Sequence, residues 1–203
     1  MLDTRVRQLI DPTLDRLGSI LARQGLGANV VTVLGFLFGA AGCVAIAFQY
    51  YGLALALIGL NRIADGLDGS IARRRGPTDV GGYLDIVLDM IFYSGVPFAF
   101  AVSRPEFSLP ACFLIYSFIG TGGSFLAYAV ISAKRGVTRD NLGKKSFYYS
   151  AGLIEGTETV IFLVLCCLIP DRFAALAWSF GTLCWVTTAG RIAAGVRTFR
   201  NLP

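Results

Sequence analysis

Four aspartates stand in two pairs, Asp65/Asp68 and Asp85/Asp89. They lie in the stretches Asn61-Arg62-Ile63-Ala64-Asp65-Gly66-Leu67-Asp68-Gly69-Ser70-Ile71-Ala72-Arg73 and Gly81-Gly82-Tyr83-Leu84-Asp85-Ile86-Val87-Leu88-Asp89. On a helix, spacings of i,i+3 and i,i+4 put the members of each pair on one face. Carboxylates gathered in a low-dielectric site do not all stay ionised without compensation. Hard divalent cations that prefer oxygen ligands, Mg2+ or Mn2+, supply it, and a phosphate-bearing molecule is the natural further ligand. A plainer assignment has the aspartates capping helix ends or pairing with Arg73, Arg74 and Arg75. That accounts well for any one of them and poorly for four at paired helical spacing, because intramembrane acids are costly when unpaired.

The elements that must position these carboxylates are read from hydropathy. The chain has 203 residues, 55% of them hydrophobic and 15% charged, with mean hydropathy +0.64, more apolar than a soluble core of that size requires. The charges fall in clusters between apolar stretches of spanning length, about 20 residues each. Six segments result, at about 30–50, 52–72, 82–102, 110–133, 148–170 and 173–194. Lipid offers the backbone no hydrogen-bond partners, so each segment is expected to be a helix. Gly35, Gly39, Gly59, Gly120, Gly122, Gly123 and Gly181 favour close helix contact or local bends. The expected fold class is an all-α integral membrane bundle of six transmembrane helices, a single membrane domain over 1–203. Residues 1–27 form an amphipathic N-terminal segment and 28–203 the bundle. In that segment Leu9, Ile10, Leu14, Leu17, Ile20 and Leu21 recur near helical spacing beside Arg7, Asp11, Asp15, Arg16 and Arg23. The pattern suits a helix lying along the membrane surface, or equally one packed on the bundle's loops. It lacks the continuous hydrophobic core of a cleaved signal peptide.

Orientation follows from Lys and Arg. One side carries Arg5, Arg7, Arg16, Arg23, Arg73, Arg74, Arg75, Lys134, Arg135, Arg139, Lys144, Lys145, Arg191, Arg197 and Arg200; the other carries Arg104 and Arg172. Both termini and the basic loops are therefore expected in the cytoplasm, at the inner membrane if the source is bacterial. The short loop between the second and third segments then places all four aspartates at the cytoplasmic face. The net charge of +5 is explained by orientation and by anionic lipid headgroups, which leaves no role for a nucleic-acid partner. Cys43, Cys112, Cys166, Cys167 and Cys184 lie inside apolar segments without CxxC spacing, and the chain has no histidine. They read as packing residues, not disulfides or zinc ligands.

The aspartate stretch resembles the signature of the CDP-alcohol phosphotransferase family, D-x2-D-G-x2-A-R, a spacer, then G-x3-D-x3-D. Asp65, Asp68, Gly69, Ala72, Arg73, Gly81, Asp85 and Asp89 fill every named position, with a spacer of seven residues. Asn29-Val30-Val31-Thr32 is similar to the family's P-N-x-x-T, with Ala28 in place of proline. The resemblance extends to the six-helix plan and the preceding amphipathic segment. It implies transfer from a CDP-alcohol, usually CDP-diacylglycerol, to the hydroxyl of an acceptor alcohol, with release of CMP. Asp65, Asp68, Asp85 and Asp89 would bind Mg2+ or Mn2+, and Asp89 would also act as base. The donor would meet Asp65, Gly69, Ala72, Arg73 and Asn29. Small residues at Gly69 and Ala72 leave room for a nucleotide, or equally serve tight helix packing. The family also implies a homodimer.

The acceptor is less legible. Lys134, Arg135, Arg139, Lys144 and Lys145 follow the fourth segment, and one or two could bind a phosphorylated acceptor such as glycerol phosphate or inositol phosphate. Arg191 is a further candidate for that pocket. Glu155 and Glu158 sit i,i+3 in the fifth segment at a depth comparable to Arg62, which points to an ion network among the three, an acceptor-pocket role for Glu155, or an ion path. Phosphatidylglycerol as acceptor, in a cardiolipin-type synthase, is an alternative. A small divalent-cation transporter using the same aspartates, or an inactive assembly factor, are rivals from other classes.

Overall fold

The structure is a computed structural model that describes residues 2–136, 154 and 156–200, with side chains described from residue 10 onward. Among the described residues there are helices and no strands. The elements are α1 (Leu2–Arg23), α2 (Ala28–Ala47), α3 (Tyr51–Arg75), α4 (Asp79–Ser103), α5 (Ser108–Lys134), α6 (Gly156–Leu168) and α7 (Phe173–Arg200). Two short 3-10 turns, Pro105–Phe107 and Pro170–Arg172, make the connections into α5 and α7.

The α3–α4 corner that carries the aspartates has explicit stop and start signals. Arg73, Arg74 and Arg75 occupy the last turn of α3, where cations meet the negative end of the helix dipole, and Gly76 ends the helix at φ +95°. Thr78 caps α4, its Oγ1 accepting from the Gly81 amide at 3.1 Å, with Asp79 in the first turn.

Helix α2 packs against both α3 and α4 through a glycine face. A Cβ on Gly35 would lie 2.7 Å from the Ala64 Cβ, and one on Gly39 would lie 2.7 Å from the Phe92 ring. The close approach lets Asn61 Nδ2 donate to the Gly35 carbonyl at 2.9 Å, a buried bond that ties α3 to α2. Gly35→Val is therefore expected to cost about 1–3 kcal/mol through overpacking. An unchanged thermal midpoint in detergent would contradict the seam. Below it, Phe100 and Phe173 stack at 4.2 Å and Phe162 and Phe180 at 4.1 Å, joining α4, α6 and α7 in the main core. At that end Arg104 Nη1 donates to Asp171 Oδ1 at 2.6 Å, linking the two connecting turns.

Against the six expected spans, four helical stretches among the described residues are long and apolar enough to cross a membrane: Ala28–Ala47, Asp79–Ser103, Pro105–Lys134 and Pro170–Arg200. Helix α3 has the length, but Asn61, Arg62, Asp65, Asp68 and its terminal arginines lower its hydropathy. The fifth segment is described only as the 13-residue α6, since 148–153 lie outside the described residues. Leu37, Val44, Phe98, Val102, Leu109 and Ile119 are exposed, a surface suited to lipid contact.

Helix α1 packs on the last turns of α3. Ser70 Oγ sits over Gly18, Leu14 lies where a Gly66 side chain would be, and Arg75 donates to the Ala22 and Gly25 carbonyls. Ile10, Leu17 and Ile20 stay exposed, so α1 combines bundle packing with an outward apolar face.

Three sequence expectations are corrected. Cys166, Cys167 and Cys184 are buried and Cys43 half-buried, but Cys112 is exposed. A side chain on Gly59 or Gly123 would meet nothing within 4 Å, so neither marks a helix contact among the described residues. The third correction concerns Arg62 and belongs to the site.

Candidate metal and phosphate site

Helices α2, α3 and α4 converge on one cleft lined by Thr32, Gly35, Phe36, Asn61, Asp65, Asp68, Asp85, Leu88 and Asp89. Its cavity volume is about 10 Å³, room for about one water or small ion. Carboxylate oxygens of Asp65, Asp85 and Asp89 all lie within 4.8 Å of one another. Asp68 is 7% exposed, and its Oδ2 is buried without a hydrogen-bond partner. A buried carboxylate oxygen left unpaired is costly, and a cation would supply a partner. The all-oxygen donor set selects hard cations over soft ones, so the residues fit Mg2+ or Mn2+.

The signature glycines have distinct surroundings. A Cβ on Gly81 would lie 2.9 Å from Asn29 Oδ1 and 3.0 Å from Thr78 Oγ1, so the glycine lets Asn29 reach the start of α4. At Gly69 the one neighbour within 4 Å of an added Cβ is Arg73 Nη1, at 3.4 Å. Among the described residues no other helix packs on Gly69 there, which leaves room beside Arg73. Ala72 is half-buried.

Arg73 is exposed and lies on the α1 side, its Nη2 3.2 Å from Asp15 Oδ1. Asp15 also accepts from Ser70 Oγ at 2.7 Å, and its backbone carbonyl accepts from Arg74. The Ser70 hydroxyl, followed by Arg73, holds the Asp15 carboxyl below its usual range. A depressed carboxylate contributes stability above its unfolded pKa and loses it as pH falls through the lowered folded value. The α1 latch is thus expected to hold through neutral and mildly acidic pH and to loosen only below the ordinary carboxylate range. Limited proteolysis of α1 against pH measures this; release near pH 6 would contradict it.

Arg62 carries the third correction. Of the alternatives left open, a network of Arg62 with the glutamates is not what its contacts show: Glu155 lies outside the described residues, and Arg62 is engaged inside the aspartate site. Nη2 donates to Asp89 Oδ1 at 2.7 Å, Nη1 to the Tyr93 hydroxyl at 2.7 Å, and Nε to Asn61 Oδ1 at 2.8 Å; Asp65 Oδ2 is 3.7 Å from Nη1. The Phe92 and Tyr93 rings lie 5.0 and 5.2 Å from the guanidinium carbon. The pairing was missed because it crosses from α3 to α4, and the sequence offered nearer-looking glutamates. Its signal was a lone arginine one turn from Asp65 in an apolar stretch.

Among the acceptor candidates, Glu155, Arg139, Lys144 and Lys145 lie outside the described residues. Glu158 is half-buried in the first turn of α6. Lys134 and Arg135 are exposed at the end of α5, and Arg135 Nη1 donates to the Phe199 carbonyl at 3.4 Å. Arg191 Nη1 donates from α7 to the Thr121 carbonyl of α5 at 3.0 Å, and its guanidinium carbon is 5.5 Å from the Phe125 ring. The neighbouring Gly122 packs under Met90, the residue after Asp89. Arg191 is thus held at the α5–α7 contact, and neither it nor Lys134 nor Arg135 is among the residues that line the cleft.

Residues 25–190 match the family model of the CDP-alcohol phosphatidyltransferases. The inner membrane protein YnjF of Escherichia coli (strain K12) is 45% identical over 203 residues, covering 100% of this chain and 98% of its own. Archaetidylinositol phosphate synthase of Methanothermobacter thermautotrophicus is 37% identical over 87 residues, 42% of this chain and 41% of its own. A crystal structure of Mycobacterium tuberculosis phosphatidylinositol phosphate synthase with CDP-DAG bound aligns at TM-score 0.65 and 20% identity over 90% of this chain and 93% of that one. A second structure of that enzyme, in complex with manganese and citrate, aligns at TM-score 0.64 and 20% identity, over 90% of this chain and 88% of that one. At such identity these two structures speak for the fold alone. The family match covers most of the chain, including all four aspartates: the chain belongs to the CDP-alcohol phosphatidyltransferase family and is an enzyme of phosphate-group transfer.

Proposed function

We propose that the chain transfers a phosphatidyl or related phospho-alcohol group from a CDP-alcohol to an acceptor hydroxyl, releasing CMP, with CDP-diacylglycerol as donor and Mg2+ or Mn2+ as cofactor. The observation that carries this is the cleft where four aspartates meet and Asp68 Oδ2 has no hydrogen-bond partner. The CDP-DAG complex of the mycobacterial enzyme, which shares the fold, supports the donor, and its manganese complex supports a divalent ion. In this reading Asp65, Asp68, Asp85 and Asp89 hold the ion, which when bound neutralises the pyrophosphate and the charge developing on CMP. Asp89 takes the proton from the acceptor hydroxyl through Oδ2, since Oδ1 is engaged by Arg62. The acceptor oxygen attacks the phosphorus that carries the alcohol, the new P–O bond forms, and the bond to the CMP oxygen breaks. Arg73 contacts donor phosphate in exchange for Asp15, beside the open space at Gly69, and Asn29 lies at the same end.

The acceptor in this proposal is a phosphorylated polyol, such as glycerol phosphate or inositol phosphate. The basic residues at the end of α5, Lys144, Lys145 and Arg191 favour it, as do the archaetidylinositol phosphate synthases among the relatives. The working form is one membrane domain of six spans, a homodimer in the inner membrane, with termini and site cytoplasmic and α1 at the interface. The name of the 45% identical relative supports the membrane assignment. Family membership makes the chain an enzyme, so the transporter reading is not carried forward. To test the acceptor, purified protein, CDP-diacylglycerol and Mn2+ are incubated with glycerol phosphate, inositol phosphate, serine and phosphatidylglycerol, and new lipid is identified by mass. Product with a phosphorylated polyol is expected. Product with phosphatidylglycerol alone would replace this reading by the cardiolipin-type one.

A further inference from the structure

Gly69 and Arg73 stand one turn apart on α3, and Arg73 folds back over the glycine. Its Nη1 lies 3.4 Å from the position of an added Gly69 Cβ, while Nη2 pairs with Asp15 Oδ1 of α1 at 3.2 Å. The guanidinium thus covers the small residue that would let a nucleotide approach, and Asp15 keeps it there. Asp15 does not depend on this pair for its own place. It accepts from the buried Ser70 hydroxyl at 2.7 Å, and Arg74 and Arg75 tie α1 to α3 through the Asp15, Ala22 and Gly25 carbonyls. The Arg73 pair is the weak tie of the set, a single contact between side chains 58% and 42% exposed. Exposed ion pairs contribute little, whereas phosphate takes an arginine in a charge-assisted and often bidentate grip. A donor phosphate arriving over Gly69 therefore meets a guanidinium already carrying a carboxylate, and a like charge beside it.

We infer that Asp15 is a positioning residue acting through Arg73: its carboxylate competes with donor phosphate for the guanidinium, so donor binding and the docking of α1 on α3 oppose each other. This rests on the proposed contact of Arg73 with donor phosphate. Donor titrations with CDP-diacylglycerol in mixed micelles, at fixed Mn2+ and an excess of mixed acceptor alcohols, test it on the purified full chain. Asp15→Asn is expected to lower the donor concentration at half-saturation by about 2–5-fold, the range an exposed ion pair supports, with kcat unchanged. Arg73→Gln is expected to raise it, and adding Asp15→Asn to Arg73→Gln should then change nothing further. A merely structural role would lower folded yield or kcat without lowering half-saturation. An unchanged or raised half-saturation in folded Asp15→Asn, with Arg73→Gln still impaired, would overturn the inference and leave the Arg73 contact standing. An unimpaired Arg73→Gln would instead remove that contact, and the inference with it. A second measurement needs no variant, because coupling between two binding events is reciprocal. Trypsin should cut wild-type α1 at the exposed Arg16 about 2–5-fold faster with CDP-diacylglycerol and Mn2+ than with diacylglycerol and Mn2+. Equal or slower cleavage would overturn the inference.

Discussion

Asp89→Asn is expected to abolish turnover while donor binding persists. The amide keeps the shape of the carboxylate, and its oxygen can still accept from Arg62 Nη2, which reaches Asp89 at 2.7 Å. The α3–α4 pairing should therefore survive, and folded protein should be recovered at near wild-type yield. What is lost is the proton acceptor: a positioned general base contributes about 10²–10⁴-fold, and loss of a metal-facing charge adds to that. Measured kcat should fall by at least about 10³-fold with little change in the donor concentration at half-saturation. Raising Mn2+ should not restore it. Turnover within a few-fold of wild type would remove Asp89 from the role of base.

Asp65→Asn has a different expected signature. Asp65 is one of the three carboxylates whose oxygens lie within 4.8 Å of each other, and it is 3.7 Å from Arg62. Neutralising it weakens the ion site directly. Changes to outer-shell partners of metal ligands already cost about 10–100-fold in metal affinity, so loss of a ligand should cost about 10²-fold or more. Activity at low Mn2+ should vanish and return in part as Mn2+ is raised. That metal rescue separates Asp65 from Asp89. An unaltered Mn2+ dependence would mean that Asp65 does not bind the ion.

Much of this was legible in the residues. Lipid forces every apolar stretch into a helix, so α2, α3, α4, α5 and α7 fall where hydropathy places them. The spacing of Asp65, Asp68, Asp85 and Asp89 fixed which side chains share a face, and the short α3–α4 turn brought the two faces together. Gly35 and Gly39 marked the seam of α2 because only small residues admit a neighbouring helix so closely.

What the residues did not reveal was pairing between helices. In a bundle of apolar helices the exposed Leu37 and the core Ile46 are equally apolar, so hydropathy does not say which face meets which neighbour. Arg62 was visible as a buried cation, but its choice of Asp89 and Tyr93 over Glu158 depends on the rotation of α3 against α4. Asp15 looked like one charge on an amphipathic surface, and only the packing of Gly18 under Ser70 makes it the latch for Ser70 and Arg73. Polarity was misleading in α3 for a related reason: Asn61, Asp65 and Asp68, which help lower its hydropathy below that of a spanning helix, line the cleft.

The central claim is cleavage of a CDP-alcohol at this cleft. Purified protein is incubated with CDP-diacylglycerol labelled in the cytidine, an excess of mixed acceptor alcohols, and either Mn2+ or a chelator, and labelled CMP is followed with time. The account predicts CMP release that requires both the divalent ion and acceptor, with an equal amount of new lipid. An absence of CMP across the whole acceptor panel, from folded protein that binds Mn2+, would contradict it.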